Sequence, residues 1–382
     1  MSEEFVAVER NAVGYDNQPA GAAEKPAQPE LEDILKKANE LGASDVFVVV
    51  GQPVSYKIHG KIERSEWPIL MPPDTRQILN RIYECADNRD VSFREDGDDD
   101  FAVSVKGVGR FRVNVYKQRG AWSVVMRTVA FNLPDVTQMG IPQQILEFSE
   151  EKKGLILVTG TAGSGKSTTL SFIIDEINKR RNCHILTLED PIEFLHKHKK
   201  SIVSQREVSV DTESYAKALR AAMREAPDVI LIGEMRDLET IEIAMTAAET
   251  GHLVLSTLHT VGAANTIDRI IDVFPPGQQQ QIRVQLAMVL KSIVSMQLLP
   301  TKDGKRVPAF EILEATNAIK TMIRESKIHQ IDSVIYSSAK DGMVSMDVSI
   351  SELYKAGKID EQTALSYAIN PETVKRMTGI RE

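Results

Sequence analysis

Residues 160–167 have the types and the spacing of a loop that binds phosphate groups. They read Gly-Thr-Ala-Gly-Ser-Gly-Lys-Ser and match the pattern G-x-x-x-x-G-K-[ST]. An apolar run at residues 155–158 precedes them, and a segment of helical periodicity at residues 168–179 follows. This is the strand, loop and helix context that a phosphate-binding loop requires. The alternative is a chance glycine turn before a helix.

The chemistry of this loop follows from its residue types. Glycine allows the backbone to turn its N–H groups toward an anion, and the N-terminus of the next helix also favours negative charge. Lys166 is placed to reach the β- and γ-phosphates of ATP, and the Ser167 hydroxyl can ligate Mg²⁺. The predicted ATP-binding residues are Gly160, Thr161, Ala162, Gly163, Ser164, Gly165, Lys166, Ser167 and Thr168.

Three further apolar runs, separated by helical patterns, indicate strands of a parallel sheet that are buried on both faces. They cover residues 184–188, 229–232 and 253–258. The polar residues Glu189, Glu234 and His259 follow their carboxyl ends. Because ligands bind beyond the carboxyl ends of parallel strands, we expect these three side chains to face one nucleotide if the strands are neighbours.

The two glutamates have different predicted roles. A glutamate is too weak a base to deprotonate free water, so Glu234 is assigned to orient the attacking water and to take a proton as the new bond forms. Glu189 would help to hold Mg²⁺, directly or through its waters, because this ion needs few carboxylates. For each acid the alternative is a position at a helix N-terminus, which the helix dipole favours.

The histidines at the two ends of the last run are not expected to act as a pair. The residues between His252 and His259 would span roughly 20 Å in an extended strand. His259 lies at the productive end and would report the phosphate state to the rest of the subunit. His252 is either a satisfied histidine at the far edge or part of an interface.

Hydrolysis of a phosphoanhydride also benefits from an arginine that stabilises charge on the transferred phosphoryl group. In the nucleotide-binding region the sequence offers Arg236. Earlier in the chain the candidates, supplied most simply across a subunit boundary, are Arg110, Arg112, Arg119 and Arg127. The alternative is a solvated basic strand face.

Composition limits the classes of protein to consider. The chain has 382 residues, 42% hydrophobic and 26% charged, which is enough for two or three domains. Its net charge of −8 argues against a dedicated nucleic-acid binder. Residues 196–200 form either a solvated loop or a local basic patch. Cys85 and Cys183 lie far apart without a C-x-x-C pattern, so neither a zinc site nor a disulfide framework is predicted.

The location of the protein is predicted from its apolar stretches. They are far shorter than the ~20 residues that a transmembrane helix needs. The N-terminus also lacks the apolar core of a signal peptide. We therefore expect a cytoplasmic protein.

The chain divides into four predicted segments. They are a disordered tail at 1–30, an N-terminal α+β domain at 31–132, an α/β ATPase core at 133–299 and a mostly helical C-terminal region at 300–382. In the second segment we expect helices at 31–41 and 74–86 and strands at 45–50, 54–62 and 122–128. Alternation between residues 101 and 115 predicts two more strands of an antiparallel sheet, and Asp303 marks a hairpin later in the chain.

With these residues in place, the chain closely resembles the type IV pilus retraction ATPases, the PilT family of the secretion ATPase superfamily. Besides the phosphate loop, the stretches that carry the resemblance are 42–45, 110–114, 188–194, 228–237 and 250–260. The last three resemble the family's Asp box, Walker B motif and His box. Residues 318–325 are similar to its retraction motif but differ from it at Lys320, Thr321 and Met322. Assembly ATPases of the superfamily usually carry a tetracysteine zinc motif, which two cysteines rule out.

The resemblance implies a PAS-like N-terminal domain, a RecA-like core and a homohexameric ring with ATP bound between subunits. It also implies that Arg112, Arg119 and Arg127 reach the nucleotide from the small domain. The implied function is a motor for pilus retraction. It would act at the cytoplasmic face of the inner membrane through a platform protein, in company with other pilus ATPases and without bound nucleic acid. Two alternatives stay open: a nucleic-acid translocase or helicase with the same core, and an accessory subunit of another retraction ATPase.

Overall fold

The computed structural model of the protein describes residues 28–58, 60–86, 97–129 and 133–380. The tail predicted at residues 1–30 lies outside these ranges apart from its last three residues. Contacts between Cα atoms divide the chain into two compact units. One contains the described residues up to Asp100 and Val113–Arg127, and the other contains Phe101–Arg112 and the described residues from Thr128 onward. None of the helices in the described ranges combines the length and the apolar character needed to cross a membrane.

The first sheet has six strands and is accompanied by two helices. The strands are β1 (Asp45–Val48), β2 (Ser55–Ile58), β3 (Lys61–Arg64), β4 (Asp98–Val105), β5 (Gly109–Gln118) and β6 (Ala121–Val129), and the helices are α1 (Leu31–Glu40) and α2 (Pro72–Cys85). The strand order is β3-β2-β1-β6-β5-β4. Strand β1 pairs antiparallel with both β2 and β6, and β2 pairs antiparallel with β3.

Local sequence explains most of these elements. The apolar stripe of α1 is buried, and the Tyr56 hydroxyl donates a hydrogen bond of 3.0 Å to the carbonyl oxygen of Ile34, which ties β2 to this helix. The residues predicted to share one face of β4 and β5 are all buried: Phe101, Val103, Val105, Phe111, Val113 and Val115. The single strand expected at 54–62 is wrong, because β2 and β3 form a hairpin there. Gly60, with φ of 81°, lies in its turn, where the absence of Cβ is favourable.

The second sheet has seven strands, and the phosphate loop follows the carboxyl end of one of its inner strands. Its strands are β7 (Gly154–Thr159), β8 (His184–Glu189), β9 (Ile202–Glu207), β10 (Val229–Ile232), β11 (Leu253–Leu258), β12 (Leu290–Pro300) and β13 (Arg306–Glu314). The order is β13-β12-β7-β11-β10-β8-β9, and every neighbouring pair is parallel except β12 with β13. The predicted strands β7, β11, β10 and β8 are therefore neighbours, and their carboxyl ends meet at one edge.

Helices cover both faces of this sheet. They are α3 (Gln143–Glu147), α4 (Lys166–Arg180), α5 (Tyr215–Ala222), α6 (Leu238–Glu249), α7 (Ala263–Asp272), α8 (Pro276–Val289), α9 (Asn317–Arg324), α10 (Ile331–Ser337), α11 (Met346–Lys355), α12 (Glu361–Tyr367) and α13 (Pro371–Thr378). Alternate residues of β7 enter opposite apolar clusters. Leu155 and Leu157 pack with residues of α5 to α8, whereas Ile156 and Val158 pack with residues of α4. Burial on both faces explains why the central strands are continuous apolar runs.

Two parallel strands were not predicted. Strand β9 is an edge strand with mixed burial, and Ile202 at its start is 63% exposed, so it lacks a continuous apolar run. Strand β12 follows α8 directly, without a Gly or Pro signal between Val289 and Leu290. The hairpin predicted near Asp303 is confirmed by the pairing of β12 with β13. Because β13 belongs to the same sheet, this sheet continues across the domain boundary predicted after residue 299, and the boundaries remain predictions.

Candidate active site

The phosphate loop connects β7 to α4 and depends on glycine for its shape. Gly160, Gly163 and Gly165 have φ values of 145°, 74° and 98°, in a region that other residues rarely adopt. A Cβ added at Gly160 would lie 2.3 Å from the carbonyl oxygen of Met296. No larger residue fits at that position. Gly165 is the N-cap of α4, so the loop opens at the positive end of a helix.

The Lys166 side chain is buried and bonded to the backbone of the phosphate loop. It is 8% exposed, and its ammonium group donates hydrogen bonds of 2.9 Å to the carbonyl oxygens of Gly160 and Thr161. Burial lowers the pKa of this ammonium group, and the negative charges of Glu234 and Glu193 oppose the shift. The interaction with Glu234 places the predicted phosphate-binding lysine and the predicted water-orienting acid at the same edge of the sheet.

Glu234 follows β10 and is held by two side chains. Its Oε2 forms an ion pair with Nε of Arg236 at 2.7 Å, and its Oε1 lies 3.2 Å from Nε2 of His259. His259 follows the neighbouring strand β11, and its Nδ1 lies 3.4 Å from Nζ of Lys166. The structure thus brings together three predicted residues from three strand ends.

These groups line one cavity of about 270 Å³ at the carboxyl edge of the sheet. Its polar lining consists of Lys166, Ser167, Ser171, Glu189, Asp190, Glu193, Tyr215, Glu234, Arg236, Thr257 and His259. Glu189 accepts hydrogen bonds from the Thr187 hydroxyl at 2.6 Å and from the Gln205 amide at 3.2 Å. Burial raises the pKa of the Glu189 carboxyl to about 7, although both hydrogen bonds favour its charged form. Glu189 and Ser167, the two predicted Mg²⁺ ligands, therefore face the same space.

The charges of the cavity are suited to a nucleotide that carries a divalent cation. In the described part of the chain, the carboxyl groups of its lining outnumber the cationic side chains Lys166 and Arg236. They are Glu189, Asp190, Glu193 and Glu234. A bare triphosphate would be repelled by these acids, and Mg²⁺ would offset the repulsion. No group of three or more His, Cys, Asp or Glu within the described ranges could hold a metal alone.

The predicted arginines lie in other surroundings. Arg127 has a side chain that is 69% exposed, and its Nε lies 3.0 Å from Oδ1 of Asp45. Arg119 is exposed in the turn after β5, and Arg112 is partly buried on β5. Among the residues described, none of these three arginines lines the cavity. A role in the site would require that they be supplied by another copy of the chain, and this remains a prediction.

Two further positions singled out in the sequence have local partners. His252 precedes β11, and its Nδ1 lies 2.9 Å from the carbonyl oxygen of Ala247, far from the cavity end of the strand. In the basic cluster at 196–200, Lys199 forms an ion pair with Asp175, and the carbonyl oxygen of Lys197 accepts a hydrogen bond of 2.7 Å from Asn178. The cluster is therefore tied to α4.

Sequence reasoning assigned no role to Glu193 or Tyr215, which both line the cavity. Glu193 follows the acidic pair at the end of β8, within a segment without regular periodicity. Tyr215 is the first residue of α5, where Ser214 caps the helix by accepting a hydrogen bond from the N–H of Lys217. This capping serine was the available signal for Tyr215. It marks a helix start after β9, but it does not show which strand end the tyrosine approaches.

A parallel sheet with a phosphate loop, an acid and a histidine at adjacent strand ends defines the class of P-loop ATPases. The chain matches the family described as type II/IV secretion system protein over residues 21–364. It is 42% identical to a type IV pilus retraction ATPase, PilT, of Pseudomonas aeruginosa, over 90% of this chain and 99% of that protein. It is also 38% identical to the type IV pilus ATPase PilU of the same species, over 91% of each chain. The protein belongs to the PilT family of type IV pilus retraction ATPases.

Solved structures agree with this assignment. The crystal structure of the pilus retraction motor PilT with bound ADP matches with a TM-score of 0.84 and 45% identity, over 91% of this chain and 100% of that one. The DotB ATPase of Legionella pneumophila matches with a TM-score of 0.70 and 27% identity, over 90% of this chain and 96% of that one. The predicted family, the predicted α/β ATPase fold and the predicted ATPase class are confirmed.

Proposed function

We propose that this protein is a homohexameric motor that uses ATP hydrolysis to drive the retraction of type IV pili. One observation carries the proposal. Lys166 of the phosphate loop lies at one cavity with Glu234 and His259, which follow two neighbouring strands, and His259 contacts both of the other residues. The similarity to a retraction ATPase over nearly the whole chain extends the proposal from hydrolysis to the pilus.

The loop and its helix would bind the phosphates of ATP. Gly160 to Thr168 supply backbone N–H groups, and Lys166 exchanges its bonds to the loop carbonyls for bonds to the β- and γ-phosphates. Ser167 would hold Mg²⁺, with Glu189 acting directly or through water. The ion supplies charge neutralisation at the phosphates when it is bound.

Glu234 would orient the water that attacks the γ-phosphorus. The water oxygen forms a bond to phosphorus, the bond from phosphorus to the bridging oxygen of ADP breaks, and Glu234 takes a proton from the water as the new bond forms. Arg236 and His259 hold the Glu234 carboxylate on both sides, which fixes its direction. His259 also lies 3.4 Å from Nζ of Lys166, so it contacts both the phosphate-binding lysine and the water-orienting acid.

A ring of subunits would complete the site. Arg112, Arg119 and Arg127 would reach the nucleotide from a neighbouring subunit and stabilise the charge that develops on the phosphoryl group. Closure of the small domain at 31–132 on the core at 133–299 would bring them there and convert the phosphate state into movement. This movement would drive retraction through an inner-membrane platform protein at the cytoplasmic face, where ATP is present.

Deletion of the gene in its host tests the pilus function. We expect pili that accumulate on the surface and do not retract, with restoration by the wild-type gene and no restoration by Glu234→Gln. Loss of pili would indicate an assembly motor instead. Normal retraction would contradict the proposal and favour an accessory role.

The purified protein tests the remaining alternatives. We expect turnover of ATP by the protein alone, without stimulation by DNA or RNA. Turnover that depends on a second pilus ATPase would identify an accessory subunit. Strong stimulation by nucleic acid would identify a translocase.

A further inference from the structure

The hydroxyl of Tyr215 occupies a position in the ATPase site that the roles above do not use. Tyr215 starts α5, which packs against β8 and α6, and its side chain enters the cavity that contains Lys166 and Glu234. No partner for this hydroxyl is found among the described residues, although the cavity is rich in acids. A phenol oxygen in such surroundings usually finds a hydrogen-bond partner.

The hydroxyl lies directly against Gly233, the residue before Glu234. A Cβ added at Gly233 would lie 2.7 Å from Oη of Tyr215, which is closer than two such atoms approach. On the other side the same Cβ would be 3.3 Å from the carbonyl oxygen of Leu188, at the end of β8. The absence of a side chain at Gly233 therefore allows the tyrosine hydroxyl to lie against its backbone.

The backbone of Gly233 is also fixed by two hydrogen bonds. Its N–H donates to the carbonyl oxygen of Leu188 at 2.7 Å, and its own carbonyl oxygen accepts a bond of 2.6 Å from the Thr257 hydroxyl. The turn that carries Glu234 is thus bonded to both β8 and β11, and the Tyr215 hydroxyl lies against it. The hydroxyl therefore lies against the backbone turn that carries Glu234, in the same cavity as the Glu234 side chain.

The electrostatic surroundings agree with this geometry. Burial raises the pKa of the Tyr215 phenol, and the carboxylates of Asp190, Glu189 and Glu234 raise it further, while Arg236 lowers it. The hydroxyl therefore stays protonated near neutral pH. A protonated phenol among carboxylates acts as a hydrogen-bond donor.

We propose that Tyr215 is a positioning residue for ATP hydrolysis, whose hydroxyl donates a hydrogen bond to the Glu234 carboxylate through one bridging water and keeps that carboxylate turned into the cavity. This inference rests on the role proposed for Glu234. A water bridge between two such groups is nearly as favourable as a direct bond. Because Tyr215 acts on the orientation of Glu234, it affects the chemical step more than the binding of ATP.

The test is Tyr215→Phe, which removes one oxygen and keeps the ring. We expect kcat to fall about tenfold, because the free energy of one net hydrogen bond corresponds to a change of about this size. KM should stay within about twofold of the wild-type value. The dissociation constants for ADP and for a non-hydrolysable ATP analogue, measured by fluorescence titration, should also stay within about twofold. Tyr336→Phe removes the same atom from an exposed tyrosine outside this cavity, and it should retain wild-type turnover.

The outcomes separate this inference from the proposed function. If Glu234→Gln is inactive and Tyr215→Phe has wild-type kcat, the inference is overturned and the role of Glu234 stands. If Glu234→Gln turns over ATP normally, the role of Glu234 itself fails. If Tyr215→Phe weakens nucleotide binding as much as it lowers kcat, the tyrosine binds nucleotide and does not position Glu234.

A second pair of variants tests the contact with Gly233. Gly233→Ala should lower kcat more than Tyr215→Phe does, because its methyl group collides with the hydroxyl. In the double variant the collision with the hydroxyl is absent and only the contact of 3.3 Å with the Leu188 carbonyl oxygen remains, so kcat should recover toward the level of Tyr215→Phe. If the losses of the two single variants add in the double variant, the hydroxyl does not lie on Gly233 and the inference is overturned.

Discussion

Nε2 of His259 lies 3.2 Å from Oε1 of Glu234, and the imidazole thereby connects the ends of β11 and β10. Its other nitrogen, Nδ1, lies 3.4 Å from Nζ of Lys166. One neutral tautomer satisfies both contacts. With the proton on Nε2, the ring donates to the carboxylate, and Nδ1 accepts from the ammonium group. His259 therefore links the phosphate-binding lysine to the water-orienting acid.

His259→Ala should remove this link, while the phosphate loop still binds nucleotide. We expect kcat to fall about tenfold or more, because Glu234 loses one of the two groups that fix its direction, while ADP binding changes little. Steady-state phosphate release and fluorescence titration measure the two effects. His252→Ala is the matched control, since His252 contacts Ala247 and not the cavity. Equal losses in both variants would contradict the assigned link.

Glu234→Gln should retain ATP binding and lose turnover. The amide keeps the size of the carboxylate, but it cannot accept a proton from the attacking water, and we expect kcat to fall by about 10²–10⁴-fold. The measurement is single-turnover phosphate release, with ATP affinity determined separately. Glu249→Gln, the same change at the exposed end of α6, should leave kcat unchanged. A wild-type rate for Glu234→Gln would remove its assigned role.

Gly160→Ala should abolish nucleotide binding through the shape of the loop. The new Cβ would approach the carbonyl oxygen of Met296 to 2.3 Å, and the residue would keep an unfavourable φ of 145°. We expect a loss of stability of about 1–3 kcal/mol from the strained backbone, seen as a lower melting temperature, together with the loss of ADP binding.

Gly304→Ala is the control for backbone strain alone. Gly304 lies in the turn between β12 and β13 with a positive φ of 78°, and no atom lies within 4 Å of its added Cβ. A small decrease in melting temperature with normal ADP binding is expected. If Gly160→Ala behaves in the same way, the contact with Met296 does not determine the shape of the loop.

The sequence was sufficient for the central strands and for the site on them. The runs that became β7, β8, β10 and β11 are buried on both faces, so their apolar continuity was visible without the fold. Their carboxyl ends then followed from the general geometry of parallel sheets. Lys166, Glu189, Glu234 and His259 could be assigned to one edge because each follows such a run.

The remaining parts of the site depend on contacts between distant segments. Tyr215 reaches the cavity only because α5 packs against β8, and nothing in the residues around Tyr215 specifies that packing. Gln205 bonds to Glu189 from β9, an edge strand whose mixed burial resembles a loop pattern. Strand β12 was missed for a related reason, since it begins directly at the end of α8.

The last prediction concerns His196, in the basic cluster beside α4. Its N–H donates a hydrogen bond of 2.7 Å to the Gln205 side chain. Burial lowers the pKa of its imidazole to about 4; Asp175 opposes the shift, and Lys199 adds to it. The folded state therefore binds fewer protons than the unfolded state, and stability decreases as pH falls from about 6.5 toward 4. Between pH 7.5 and pH 5 this one group should cost about 2 kcal/mol.

His196→Gln removes this titration and should make the protein less sensitive to acid. Urea unfolding followed by circular dichroism at pH 7.5 and pH 5 measures the difference. We expect the variant to lose about 2 kcal/mol less than the wild type on going from the higher to the lower pH. His329→Gln changes an exposed histidine and should reproduce the pH dependence of the wild type. If His196→Gln also behaves as the wild type does, the imidazole charges without cost, and this loop opens to solvent below pH 6.5.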